Sequence, residues 1–204
     1  MNYNSKQIDI LNVSLKLFAE KGFDGTSIRD IAKAADINVA MVSYYFGSKE
    51  NLLEAIIIYR VSDFRMILEN LQTELISPIE KIKKYVSFYV NMLFQNKDFY
   101  QLVHFEMVNQ KRACDFSAFS EIKKKNLKLL QNIIEEGQKD GEFKSNCNSL
   151  LIPALVIGTF SQIYNNKKFY IEMLNLNDDK AFENYMLNTF KEDITNVVLG
   201  MLIK

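Results

Sequence analysis

The chain has 204 residues, enough for one large domain or for a small head on a larger body, and 48% hydrophobic against 25% charged residues is the balance of an ordinary globular protein. Seven glycines and two prolines leave little material for hairpins or long loops, which favours helices. Its 25 basic and 25 acidic side chains cancel, so no chain-wide positive field marks a polyanionic partner, and a nucleic-acid reading has to rest on local pattern.

Ile8, Leu11, Leu15 and Phe18 recur at helical spacing, and Gly22 follows as a terminator. After Phe23-Asp24-Gly25, Thr26 is placed to cap a short second helix whose inner face is Ile28, Ile31, Ala32 and Ala35, with Arg29, Asp30 and Lys33 outward. Asp36-Ile37-Asn38 makes a tight connection to a third helix from Val39 to Phe46, and Gly47-Ser48 breaks the chain before a long helix that begins at Lys49. Leu52, Leu53, Ile56, Ile57, Phe64 and Leu68 carry that helix on. Ser77-Pro78-Ile79-Glu80 then combines a serine cap, proline at the first helical position and glutamate at the third, the start of a fifth helix. Breaks at Asn96 to Asp98 and at Lys111 to Ser117 predict a sixth helix over Phe99 to Gln110 and a seventh over Phe119 to Lys139, ended by Asp140-Gly141. Two apolar helices complete the pattern, roughly Ser149 to Leu174 and Lys180 to Ile203. The expected class is all-α: a three-helix helix-turn-helix domain over residues 1–48, joined by the long helix to a larger helical bundle over 49–204.

The stretch from Thr26 to Leu53 carries the function. In a helix-turn-helix the first helix lies across the phosphate backbone, and the second presents its N-terminal side chains to base edges in the major groove. Ala32 and Ala35 are small where two helices approach, Ile37 can plug the corner, and Val42 with Phe46 can hold the recognition helix inward. On the outward side Asn38, Val39, Ala40, Met41, Ser43 and Tyr44 offer amide and hydroxyl hydrogen bonds with apolar surface for a thymine methyl. Thr26, Tyr44, Tyr45 and Lys49 sit where hydroxyls and an ammonium meet phosphates.

Thr26-Ser27-Ile28-Arg29, Ile31-Ala32, Ala34-Ala35-Asp36-Ile37, Ser43-Tyr44-Tyr45-Phe46 and Ser48-Lys49-Glu50 together closely resemble the signature of the TetR family of bacterial transcriptional repressors. The resemblance implies Arg29 near a base at the groove edge, Asn38 through Tyr44 on the recognition surface, and Tyr45 and Lys49 on phosphates. The candidate DNA-binding set is thus Thr26, Ser27, Arg29, Asn38, Val39, Ala40, Met41, Ser43, Tyr44, Tyr45 and Lys49. Asp36 departs from the family by replacing the turn's usual glycine, which aspartate does at modest cost because it tolerates the left-handed conformation. Ser43 stands where tyrosine is common and removes an aromatic contact. In residues 1–50, six cations (Lys6, Lys16, Lys21, Arg29, Lys33, Lys49) meet six anions (Asp9, Glu20, Asp24, Asp30, Asp36, Glu50), which predicts a shallow salt dependence resting on a few placed cations.

The resemblance further implies a body that binds a small-molecule effector and pairs with its twin. Tyr85, Phe88, Tyr89 and Met92 form one stripe and Tyr100, His104 and Met107 another; with Phe64, Phe160 and Tyr164 they make the candidate ligand pocket. Ala154 and Gly158, spaced for close helix approach, and the apolar Phe190, Ile194, Val197, Val198 and Met201 make the candidate homodimer surface. The expected protein is a ligand-responsive homodimeric repressor on a near-palindromic double-stranded operator, the alternative being a helical small-molecule-binding or scaffold protein without operator binding. No enzyme is expected, because no nucleophile motif, metal-ligand spacing or phosphate loop is present. No metal or cofactor is expected either: Cys114 and Cys147 lie far apart with His104 as the lone imidazole. The N-terminus does not resemble a secretion signal, and the longest apolar run, Leu150 to Phe160, is too short for a bilayer and contains Pro153, so the expectation is a cytoplasmic protein with no membrane partner.

Overall fold

A computed structural model describes residues 3–109 and 117–204, without the side chains at 63, 64, 107–109 and 118. Its described secondary structure is eleven helices: α1 (Ser5–Lys21), α2 (Ile28–Ala34), α3 (Val39–Phe46), α4 (Lys49–Thr73), α5 (Pro78–Gln95), α6 (Lys97–Asn109), α7 (Ser117–Lys139), α8 (Leu151–Asn165), α9 (Lys167–Met173), α10 (Asp179–Leu187) and α11 (Thr189–Leu202). The all-α class is as the composition predicts. The break expected over residues 111–117 and Cys114 fall outside the described residues, Ser117 excepted.

Two compact units emerge. One comprises Met1–Phe64 and Asn96–Lys123, the other Arg65–Gln95 and Lys124–Lys204. In the first, Ile10, Leu11, Phe18, Ile31, Val42, Leu52, Leu53 and Ile56 form one buried core with Phe99, Leu102 and Val103 of α6. This places α6, far away in sequence, beside α1.

In the second unit, α5 packs against α8, α10 and α11. Ser77 accepts the Glu80 N–H at 3.2 Å, which starts α5 at Pro78 as its sequence dictates. The end of α7 is a Schellman turn: Gly141, at φ +78°, donates to Gln138, and the Glu142 N–H reaches the Gly137 carbonyl at 2.9 Å. Lys81 is buried, with its ammonium 2.8 Å from Glu136 and 3.3 Å from the Gln72 carbonyl, and no sequence pattern singled it out.

Each of the two long C-terminal helices read from the sequence is two helices. The first breaks at Asn166, whose Nδ2 donates to the Gln162 carbonyl at 2.8 Å; the second breaks at Asn188, whose Nδ2 donates to the Asn184 carbonyl at 3.0 Å. In both places an asparagine side chain competes for a carbonyl at the end of the preceding helix, a contest that apolar periodicity does not register.

Candidate nucleic-acid interface

Tight local hydrogen bonding builds the head. Asn4 and Gln7 close a capping box at α1. At the next turn Thr26 is buried, and its hydroxyl lies 2.9 Å from the Gly22 carbonyl and 3.1 Å from that of Leu17, donating to the end of α1. Thr26 therefore does not cap α2, as its position suggests; Ser27 does. The Ser27 hydroxyl accepts the Asp30 N–H at 3.1 Å, and Asp30 Oδ2 accepts the Ser27 N–H at 2.9 Å. Asp30, which periodicity leaves as solvated surface, completes this box, and the spacing Ser27-x-x-Asp30 is the signal that finds it. Two hydrogen bonds from Ser27, side chain then backbone, hold the Asp30 carboxyl below the ordinary aspartate value.

The corner between α2 and α3 is a second Schellman turn. Ile37 N–H bonds to the Ala32 carbonyl at 3.0 Å and Asp36 N–H to Lys33 at 3.3 Å, with Asp36 at φ +51°, the left-handed conformation expected where the family has glycine. Asn38 caps α3 by accepting the Ala40 N–H at 2.9 Å. Val42 and Phe46 are buried in the head's core, while Asn38, Val39, Ala40 and Ser43 are exposed and Tyr44 is 83% exposed. Met41 and Tyr45 are half-buried, Tyr45 packing against the core. Ser27 and Arg29 are exposed at the start of α2. Lys49 is half-buried, and its ammonium donates to the carbonyls of Phe23 at 2.8 Å and Thr26 at 2.9 Å. The expected phosphate ligand is thus engaged inside the head.

The expected pocket residues fall in both units. In the second, Tyr85 and Phe160 are buried, Tyr89, Met92 and Tyr164 half-buried and Phe88 39% exposed. Phe160 stacks on Tyr164 at 5.7 Å, Tyr164 meets Phe94 of α5 at 6.5 Å, and Tyr85 meets Tyr89 at 5.6 Å. Burial pushes the Tyr89 phenol well above its ordinary value. An open polar groove of about 570 Å³, with Lys83, Ser87 and Thr195 in its wall, shares none of these residues. In the first unit Tyr100 is half-buried and His104 exposed; the Phe64 and Met107 side chains lie outside the described set. Part of the expected dimer surface is turned inward: Phe190, Ile194 and Val198 are buried in their own unit because α11 packs on α5 and α10. Ala154, Gly158 and Val197 are exposed, and Met201 is half-buried.

Among the described residues no helix is long and apolar enough to cross a membrane. Residues 10–56 match the family model "Bacterial regulatory proteins, tetR family", and residues 78–185, more than half of the chain, match "Tetracyclin repressor-like, C-terminal domain". The chain belongs to the TetR family. A Bacillus subtilis relative named "Probable HTH-type transcriptional regulator YttP" is 33% identical over 138 residues, 66% of this chain and 65% of that protein's length. The HTH-type transcriptional repressor NicS of Pseudomonas putida is 25% identical over 193 residues, 91% of this chain and 88% of NicS. The TetR fold extends to the crystal structure of FadR from Bacillus subtilis in complex with stearoyl-CoA, at a TM-score of 0.70 and 18% identity over 94% of this chain and 97% of that one. As a TetR-family regulator the chain therefore joins an N-terminal helix-turn-helix to a tetracycline-repressor-like C-terminal domain.

Proposed function

We propose that this protein is a homodimeric, effector-responsive repressor that acts in the cytoplasm on a near-palindromic operator. The observation that carries the reading is the division of α3: Val42 and Phe46 are fixed in the core while Asn38, Val39, Ala40, Ser43 and Tyr44 are exposed. That is what a helix entering a major groove requires. Ser27 and Arg29 extend the surface along α2, towards phosphates and the groove edge.

Residues 1–48 serve as the DNA-binding domain and 49–204 as the effector and dimerisation domain. The twin docks on the exposed stripe of α8, Leu151, Ala154 and Gly158, together with Val197 of α11, because these remain open after the protomer has buried Phe190, Ile194 and Val198. The effector lies among the aromatic side chains of α5 and α8, and needs only about 1 to 3 kcal/mol of coupling to change operator affinity roughly five- to 150-fold. No chemical step is involved.

Selection of DNA fragments from a random pool with the full chain tests this. Enrichment of a palindrome with half-sites about one helical turn apart, or a multiple of it, is the expected result. A folded protein that enriches nothing is the helical binding or scaffold protein instead.

A further inference from the structure

Lys49 opens α4, and its cation is occupied before any DNA arrives. Besides the two carbonyl bonds, Nζ lies 4.2 Å from the centroid of the Phe23 ring, in cation–π contact. Phe23 and Thr26, whose carbonyls it holds, bound the turn between α1 and α2. Thr26 in the same turn hydrogen-bonds back to Gly22 and Leu17, and the next residue, Ser27, caps α2. One ammonium thus ties the first residue of α4 to the segment that ends α1 and begins α2. A lysine has three N–H donors, two of which are aimed here at main-chain oxygens.

We propose that Lys49 is a positioning residue for DNA binding, the joint that fixes the α1–α2 turn to the start of α4, and not a phosphate ligand. This rests on the operator-binding reading above. Its consequence is mechanical: the starts of α4 and α2 move together, so a displacement of α4 reorients the helix that lies over the phosphate backbone while α3 keeps its own side chains unchanged.

Salt dependence separates the two roles. A lysine on a phosphate contributes about one to the slope of log affinity against log salt for each protomer, and a positioning lysine contributes nothing to it. Operator affinity of the full chain is measured across a series of KCl concentrations for wild type, Lys49→Met, Lys49→Arg and Lys49→Gln, with amide hydrogen exchange at Ser27 to Ile31. Lys49→Met is expected to weaken binding about tenfold, the size of one lost charge-assisted contact, at an unchanged slope and with faster exchange at the start of α2. Lys49→Arg is expected to restore affinity, its fork reaching both carbonyls. A slope lower by about one per protomer, with unaltered exchange, would make Lys49 a phosphate ligand and overturn the proposal; wild-type behaviour in Lys49→Met would overturn it equally. If Lys49→Met fails to fold, Lys49→Gln, which keeps an amide donor without the charge, is read by the same slope. Absence of any operator binding by the wild type would instead sink the operator-binding reading, and this inference with it.

Discussion

The carboxamide oxygen of Asn38 accepts the Ala40 N–H at 2.9 Å, so the residue proposed to read a base is also the cap of α3. The cap uses the oxygen; the two N–H donors are the part a base can use. Asn38→Ser keeps a cap and removes the amide. It is expected to fold like wild type and to lose about 1 to 3 kcal/mol of discrimination at one operator position. Asn38→Ala is expected to change the preferred sequence in the same way and to destabilise the head by roughly 1 kcal/mol more. Selected-site sequencing and thermal melts check both, and a uniform loss of affinity across all sites in Asn38→Ser would contradict the base-reading role.

The capping box at α2 predicts an acid response. The folded-state value of Asp30 is depressed, so its contribution is complete above the ordinary aspartate range and is lost as pH falls through the lower folded value. Carboxyl titration by NMR is expected to find Asp30 below ordinary aspartates, and Ser27→Ala to bring it back towards them. Amide protection in α2 should fall over the same acidic window. An Asp30 titration that does not move in Ser27→Ala would assign the depression to another cause.

Sedimentation distinguishes the two sides of the C-terminal helices. Gly158 faces open space, with nothing within 4 Å of where a β-carbon would stand. If α8 carries the proposed dimer interface, Gly158→Glu is expected to leave the helical signal intact while converting dimer to monomer and abolishing operator binding. Ile194→Ala is expected to lower unfolding stability by about 2 to 5 kcal/mol, the cost of deleting a core side chain, and to leave the dimer interface itself intact. A dimeric Gly158→Glu would move the interface elsewhere.

Gly137 is fixed by the ring of Phe143, which would stand 2.3 Å from an added β-carbon. Gly137→Ala is expected to lose roughly 1 to 3 kcal/mol in urea unfolding, as overpacked cores do. Combining it with Phe143→Leu should recover part of that loss. Strict additivity of the two changes would show that the ring is free to move aside.

The parts legible in the sequence are those in which adjacent residues determine one another. Helical periodicity located α1 to α5 closely, Ser77 and Pro78 marked the start of α5, and Asp36 announced its left-handed turn. The exposed face of α3 also followed from spacing, once Val42 and Phe46 were assigned inward. Illegible were features set by partners distant in the chain. Phe190, Ile194 and Val198 form an apolar face in sequence, and only the packing of α5 and α10 decides that they serve the protomer's core. Lys49 reads as a free cation until the Phe23 and Thr26 carbonyls are seen beside it. The breaks at Asn166 and Asn188 fell inside apolar patterns that continue through them.

The side chains of the Lys81–Glu136 pair differ in exposure, 4% for the lysine and 43% for the glutamate. Losing Glu136 first strands a buried ammonium, whereas losing Lys81 first leaves a carboxylate that water can reach. Replacement of this pair by apolar side chains during divergence therefore has a preferred order, lysine before glutamate. Lineages that retain Lys81 are therefore expected to retain an acid at 136, while the converse is expected to hold much more weakly.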